Sequence, residues 1–394
     1  MRRALKTFAL LLPLLILAAV SFIYFFCDTI VVFPYVRLKH SPVPFEEGRF
    51  EGGELRIING IPVMTLRGSP RDMGRQAGAL CGEQIRALVD EYLRRLFVDF
   101  DRMDAARARS RRLEGQIPER YLDELRGIAE TSGVPYRDLL LANTFVEYYK
   151  AFACSAICVQ EDAGLEGGML VGRNLDFPSL GIAHHYSMIT IYHPDDARAF
   201  ASVNWPGMTG AITSINEDGL TTAMLISFGG EFDFDRMPSS FAFRLIAEKF
   251  STVQEAADFL KDNPIASPFN LILADAADGA LVVELGPNHY FVRRPLRGVL
   301  PCTNYYGEGG EKGASRDSRY ARIVEFAERR RGSFTVEDVQ EILGDVYLPL
   351  INIQAMVIAP RDRQIYLSIG AGPAALGAYR KIDLAPLLEQ AGGR

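Results

Sequence analysis

Apolar and polar residues alternate at Leu55, Ile57, Ile61 and Val63, on either side of Asn59-Gly60. A period of two interrupted by an Asn-Gly pair predicts a short hairpin. From Pro70 the spacing lengthens. Ile85, Leu88, Val89, Tyr92, Leu93 and Leu96 recur every three or four residues, as on one face of a helix. The same spacing returns at Tyr121, Leu122, Leu125 and Ile128, predicting a helix that opens near Pro118 and stops by Gly133-Val134-Pro135. Leu139 to Phe145 reads as a further helix or a strand, so residues 60 to 150 are predicted to be mostly helical.

Short apolar runs bounded by turn residues then predict strands at 154–160, 168–174, 186–193, 199–204, 211–215 and 220–227, the last pair turning at Asp218-Gly219. Phe241, Leu245, Ile246 and Phe250, followed by Val253 to Leu260, give a helical block. Strands return at 269–275, 280–285 and 289–293, joined by Asp278-Gly279 and Pro287-Asn288. Arg316 to Arg331 has helical spacing, and a second helix opens at Thr335, where Glu337 and Asp338 complement the helix dipole. A hairpin of 354–359 and 364–369 closes the pattern. Blocks of helices alternating with blocks of strands predict an α+β fold, two antiparallel sheets packed together with helices on their outer faces.

At the N-terminus Arg2, Arg3 and Lys6 precede an uncharged, mostly apolar run of 20 residues from Phe8 to Cys27. That length suits a membrane helix, and the cations favour a cytoplasmic N-terminus. Residues 28 to 48 carry three prolines and read as a connector. The expected organisation is a signal anchor over 1–30, a linker over 31–50, a helical segment over 51–153 and a catalytic segment over 154–394, the last two packing as one domain. The body is expected to be membrane-anchored and extracytoplasmic, or secreted if the signal is cleaved, with Leu17-Ala18-Ala19 a weak site for such cleavage.

Composition narrows the chemistry. A formal charge of −6 and a pI near 5.6 give no reason to expect nucleic acid as a partner. The five cysteines contain no CxxC pair and the five histidines no HExxH, so no metal or other cofactor is expected.

The residue with the strongest chemical context is Cys154, set between Ala153 and Ser155 at the start of an apolar segment. The strand-like run that follows delivers Arg173 and Asp176. A thiol needs a base to become the attacking thiolate. The histidines, at 40, 184, 185, 193 and 289, show no local catalytic signature. The other source of a base is the α-amine of Cys154 itself, whose reference pKa of about 7.7–8.0 is close to neutral. It exists only if the Ala153–Cys154 bond is cut.

Several motifs, in order, carry a resemblance. They are Gly68-Ser69-Pro70-Arg71-Asp72-Met73-Gly74 with Gly78, Cys154-Ser155, Gly172-Arg173-Asn174-Leu175-Asp176, Asn216-Glu217-Asp218-Gly219-Leu220, Thr303-Asn304, and Ser315 with Ser318-Arg319-Tyr320. Together they resemble the N-terminal-nucleophile cysteine hydrolases, most nearly the family of the acyl-CoA:6-aminopenicillanate acyltransferase, with bile-salt hydrolases and acid ceramidases more distant. The resemblance implies a four-layer αββα sandwich. It implies self-cleavage between Ala153 and Cys154, with the two resulting chains staying associated, and a Cys154 thioester formed from a small acyl amide or thioester substrate. Arg173 and Asp176 would orient the amine and thiol, Arg173 holding the Asp176 carboxylate. Asn216 and Asn304 would supply oxyanion or amine contacts, and Arg319 would be a distal active-site arginine.

This chain departs from the family pattern at Ala153, where glycine is common, at Ser155, where threonine is frequent, and at Tyr305, where histidine is frequent. Cys158 is a candidate resolving thiol or disulfide partner, although strand residues four apart share a face. Trp205-Pro206-Gly207-Met208 and Phe228 suggest an apolar acyl pocket. Two alternatives stand beside this reading: an uncut cysteine hydrolase using His184 or His185, and a non-catalytic surface protein that binds an acylated ligand.

Overall fold

A computed structural model describes residues 40–97, 100–160, 168–228, 230–277, 279–307, 317–330 and 334–389. It begins with three antiparallel strands, Gly48–Phe50 (β1), Gly53–Ile58 (β2) and Ile61–Gly68 (β3). The β2–β3 turn puts Asn59 at φ 50° and Gly60 at φ 77°. Two consecutive left-handed residues are what the tight hairpin turn requires. β1 occupies the end of the stretch expected to be linker, so the connector gives way to sheet at Gly48.

Ser69 then caps helix α1, Pro70–Ala87, by accepting from the Asp72 amide, with proline in the first turn. A π-helical turn, Leu88–Leu93, continues it. Helix α2 is Phe100–Glu114, α3 is Glu119–Ser132 and α4 is Tyr136–Thr144. α3 ends at Gly133 with φ 72°, the left-handed cap expected there. The glycines of the opening motif have a packing cause. A β-carbon at Gly74 would collide with the Glu124 carbonyl, and one at Gly127 with the Arg71 carbonyl, so α1 and α3 touch backbone to backbone.

Beyond α4 come β4 (Ala153–Val159), β5 (Leu170–Asp176), β6 (Met188–Pro194), β7 (Phe200–Asn204), β8 (Thr213–Asn216) and β9 (Thr221–Ile226). Helices α5 (Ser239–Lys249) and α6 (Val253–Asp262) precede β10 (Phe269–Ala274), β11 (Ala280–Gly286), β12 (His289–Arg293) and β13 (Val299–Cys302). Then follow α7 (Ser318–Arg330), α8 (Val336–Val346), β14 (Asn352–Ala359), β15 (Gln364–Ile369), β16 (Arg380–Asp383) and the short α9 (Ala385–Glu389). β13 and β16 escape the apolar pattern because one contains Pro301 and the other buries only Ile382.

The strands form a ten-stranded sheet, β1-β2-β3-β6-β7-β8-β9-β10-β11-β12, and a six-stranded sheet, β13-β4-β5-β14-β15-β16. All pairings are antiparallel except β3 with β6, where Val63 faces Ile189 in parallel register. Here the expectation of purely antiparallel sheets is corrected. The connection from β3 to β6 runs through four helices and two strands of the other sheet, and a crossover of that length permits parallel pairing. The sheets meet where β4 lies over β9 and β10. Beyond the six-stranded sheet, Ile157, Val159 and Val357 pack against Ile323, Ile342 and Leu343 of α7 and α8. α5 lies on β8 and β9, and α6 on β10 and β11.

The residues from Val43 onward make one compact unit. Among the described residues no helix is long and apolar enough to cross a membrane. The run expected to be an anchor, Phe8 to Cys27, lies outside those residues, as do Asp278 and Ser315.

Candidate active site

β4 and β5 run side by side with Ala153 opposite Asp176, Cys154 opposite Leu175 and Ala156 opposite Arg173, all of them buried. Side chains on a strand alternate between faces. Ser155 and Asn174 face α8, where they hydrogen-bond the Val346 and Leu343 carbonyls at 3.2 and 2.8 Å. Cys154 and Arg173 face the other sheet. Arg173 donates to the Ile212 carbonyl at 3.2 Å and the Met224 carbonyl at 2.8 Å, and one Nη2 lies 3.6 Å from the Cys154 sulfur. Gly172 brings the strand close to α8: a β-carbon there would sit 2.5 Å from Val339.

The backbone N–H of Cys154 donates to Asn304 Oδ1 at 2.9 Å. Asn304 is fixed in turn by its own Nδ2, which donates to the Ile226 carbonyl at 2.8 Å, and by Arg319 Nη2, which donates to Oδ1 at 2.8 Å. Arg319 grips Asp317 through Nε and Nη2 at 3.0 and 2.7 Å and reaches Asp176 Oδ2 at 3.3 Å. The other Asp176 oxygen accepts from Asn352 Nδ2 at 2.9 Å and the Leu348 amide at 3.2 Å. These contacts tie both sheets and α7 to the bond between residues 153 and 154.

Burial sets the charges. It pushes the Cys154 thiol up, against the neighbouring Arg173 guanidinium, so the intact chain holds a protonated thiol. Burial also lifts Asp176 to about 6, against the Asn352 and Leu348 hydrogen bonds and the Arg319 charge. For Arg319 burial works toward a lower value, and its carboxylate partners override it.

Five of the six expected catalytic residues, Cys154, Arg173, Asp176, Asn304 and Arg319, therefore form one cluster. Asn216 does not join it. Its Oδ1 accepts from the Asp218 and Leu220 amides, and its Nδ2 donates to the Ala247 and Phe250 carbonyls. An asparagine amide has two donors and two acceptor sites. All four are spent on the β8–β9 turn and the end of α5, leaving none for an oxyanion.

The pairing expected within the Arg173/Asp176 motif is corrected as well. Three residues apart on a strand is an odd spacing, which sends the two side chains to opposite faces, and the ion-pair partner of Asp176 is Arg319. The amide of Cys154 is held by Asn304 rather than by Asp176. Asp317 and Asn352 went unnoticed in the sequence. Asp317 stands beside the Ser-Arg-Tyr motif and could have been found there, whereas Asn352 arrives on β14 with no local signal.

No histidine hydrogen-bonds Cys154 among the described residues; His184 Nδ1 lies 2.6 Å from the Ser179 hydroxyl and His193 Nε2 lies 3.0 Å from the Leu387 carbonyl. Cys158 is buried against Met169, and among the described residues it forms no disulfide. No group of three or more His, Cys, Asp or Glu among the described residues is placed to hold a metal.

Beside the cluster lies an apolar cavity of about 70 Å³, lined in part by Phe152, Leu175, Phe177, Trp205, Met208 and Met224. Leu175 is the strand partner of Cys154, and Met224 supplies a carbonyl to Arg173. Phe228 lies elsewhere, half-exposed with its ring against Tyr305.

A buried cysteine with an arginine beside its sulfur and an asparagine on its backbone nitrogen is an arrangement that suits a class, the N-terminal-nucleophile cysteine hydrolases. The family model described as acyl-coenzyme A:6-aminopenicillanic acid acyl-transferase matches residues 164–360, half of the chain, and the chain belongs to that family. Protein dcd1B of Dictyostelium discoideum is 26% identical over 232 residues, covering 52% of this chain and 46% of its own. Acid ceramidase of Mus musculus is 24% identical over 189 residues, covering 42% of this chain and 47% of its own. The chain thus spans about half the length of the curated relatives it matches. Among solved structures, a Caenorhabditis elegans N-acylethanolamine-hydrolyzing acid amidase ortholog is similar with a TM-score of 0.43 and 18% identity, covering 53% of this chain and 93% of that one. A conjugated bile acid hydrolase mutant from Clostridium perfringens gives a TM-score of 0.43 and 15% identity, covering 59% and 93%.

Proposed function

We propose that the chain cuts itself between Ala153 and Cys154 and then cleaves, or transfers the acyl group of, a linear amide or thioester carrying an apolar acyl chain. The observation that carries this reading is the environment of the Cys154 nitrogen. Hydrogen-bonded to Asn304 Oδ1 at 2.9 Å, it is already seated where a freed α-amine would serve as base for the adjacent sulfur.

In the maturation step Cys154 Sγ attacks the Ala153 carbonyl carbon. The peptide C–N bond breaks, the nitrogen takes up a proton, and a thioester joins residue 153 to the sulfur; water then hydrolyses it. In the mature enzyme the α-amine accepts the thiol proton, and Arg173 stabilises the thiolate. Sγ attacks the acyl carbonyl, the leaving amine takes the proton, and water or an acceptor amine resolves the new thioester. The acyl chain would enter the apolar cavity, where Phe152 stands in the uncut chain.

Cleavage would place β1–β3 on one chain and β6–β12 on the other, although both belong to the ten-stranded sheet. The β3–β6 ladder, from Val63–Ile189 to Gly68–Pro194, supports continued association of the two chains. In this reading the two sheets and their outer helices are the αββα sandwich of the class. The run from Phe8 to Cys27 would tether the body outside the cytoplasm.

Intact mass and N-terminal sequencing of the purified protein beside Cys154→Ala test the maturation. The expected result is two associated pieces, the second starting at Cys154, and a variant that stays whole. If both proteins stay whole, the amine never forms and the mechanism fails. Fatty-acid release from N-acyl amides of graded chain length then tests the substrate class.

A further inference from the structure

Four residues before Cys154, the ammonium of Lys150 is drawn inward. It donates to the Ser267 hydroxyl at 3.1 Å and the Pro268 carbonyl at 3.4 Å and lies 3.6 Å from the centroid of the Phe269 ring. Among the described residues no carboxylate pairs with it directly. Glu147 is reached through Ser267, whose hydroxyl donates to Glu147 Oε2 at 2.6 Å, and the other Glu147 oxygen is taken by the Ser239 amide and hydroxyl at 2.8 and 2.5 Å. An ammonium has three donors, and two of these are spent on neutral partners.

Lys150 lines a cavity of about 380 Å³ together with Arg109, Ser227, Phe232 and Pro268. Ser227 is 2% exposed, and among the described residues its hydroxyl has no hydrogen-bond partner. A buried hydroxyl left unpaired costs stability unless a ligand or water completes it. Ser227 lies between two residues that hold Asn304, the partner of the Cys154 nitrogen: the Ile226 carbonyl accepts from Asn304 Nδ2, and the Phe228 amide donates to the Asn304 carbonyl at 2.7 Å. Arg109, the Lys150 amine and a spare hydroxyl therefore surround space whose acidic members are already engaged, Glu147 as above and Glu231 by Asn288 at 2.8 Å. Burial lowers Lys150 to about 7 against the pull of Glu147, and an anion seated beside it would favour its charged form.

We propose that this cavity receives the amine half of the substrate, and that Lys150 and Ser227 bind a carboxylate on it, so that the preferred amide is an N-acyl amino acid. The inference rests on the reading of Cys154 as an amide-cleaving nucleophile. It gives the upstream chain a second role: Lys150 lies on the piece that self-cleavage separates, so that piece supplies a substrate-binding cation and must stay in place.

The test compares N-lauroylglycine with N-lauroylethanolamine, which differ chiefly in the carboxylate. Titration calorimetry on the self-cleaved protein with the Cys154 thiol blocked as its methyl disulfide measures binding without turnover, and KM on the unblocked self-cleaved protein measures it during turnover. The glycine conjugate is expected to bind about tenfold more tightly, the scale of one charge-assisted hydrogen bond. Lys150→Met should reduce that ratio to near one, Lys150→Arg should restore part of it, and Ser227→Ala should reduce it by a smaller factor. Ser227→Ala also keeps the test open should the lysine variants fail to fold. Equal affinity for the two amides, or a ratio untouched by both Lys150→Met and Ser227→Ala, overturns the proposal. If neither amide is turned over while the binding ratio stands, the amide-cleaving reading fails and the anion subsite is kept.

Discussion

Replacing Arg319 by methionine examines the frame of the site most directly. Arg319 is 6% exposed, and its guanidinium holds three groups at once: Asp317, Asp176 and Asn304 Oδ1. Removing it from a Cys154→Ala background, so that every molecule stays uncut, leaves two buried carboxylates without their cation. Breaking a buried pair in this way costs about 3–5 kcal/mol. Over the roughly 350 residues of the folded unit, an unfolding entropy of ~2.1 cal/mol/K per residue converts ~4 kcal/mol into a fall in Tm of about 5 °C.

The loss should depend on pH. Asp176 already titrates at about 6, above its unfolded value, so it favours the fold below pH ~4 and loses that contribution as pH rises through 6. Without Arg319 its value rises further. Asp317 is pushed up by burial but brought below the ordinary carboxylate value by Arg319, so its contribution, present above pH ~4, disappears with the arginine. Both effects make the deficit largest near pH 8 and smallest near pH 4. Urea unfolding at several pH values measures it. A deficit below ~1 kcal/mol, the worth of a surface pair, or one that is constant across the range would refute the reasoning.

Arg244→Met should destabilise by a similar ~3–5 kcal/mol, because Arg244 neutralises buried Glu124 and Glu248 at 2.6 and 2.9 Å; adding Glu124→Gln and Glu248→Gln should recover part of the loss in urea titrations. Asn216→Ala should cost about 2–4 kcal/mol through the amides and carbonyls it releases, while self-cleavage of the folded protein, followed on gels, stays within about twofold; a hundredfold slowing, the scale of a lost oxyanion donor, would return Asn216 to the catalytic set. Val89→Trp, at the wall of the apolar cavity, should lower kcat/KM for long-chain amides about tenfold and affect short-chain amides less, as measured by fatty-acid release.

Local patterns settled a good deal of this protein. The 3.6-residue period placed α1 and α3, the Asn59-Gly60 pair fixed the first hairpin, and the short apolar runs located most of the strands. These signals are legible because periodicity and turn chemistry act between residues close in sequence. The motifs around Cys154, Arg173, Asp176, Asn304 and Arg319 also named five residues that do meet, although 165 positions separate the first from the last.

What the pattern could not supply was the direction in which each side chain points. Arg173 and Asp176 read as partners until strand alternation set them on opposite faces. Asn216 looked like an oxyanion donor until its turn and α5 claimed all its hydrogen bonds. The Arg319–Asp176 pair, the hold of Asn304 on the Cys154 nitrogen and the parallel β3–β6 ladder join residues 143, 150 and more than 120 positions apart. Which groups face one another across such separations depends on register and on how the two sheets stack, and only the tertiary structure decides that.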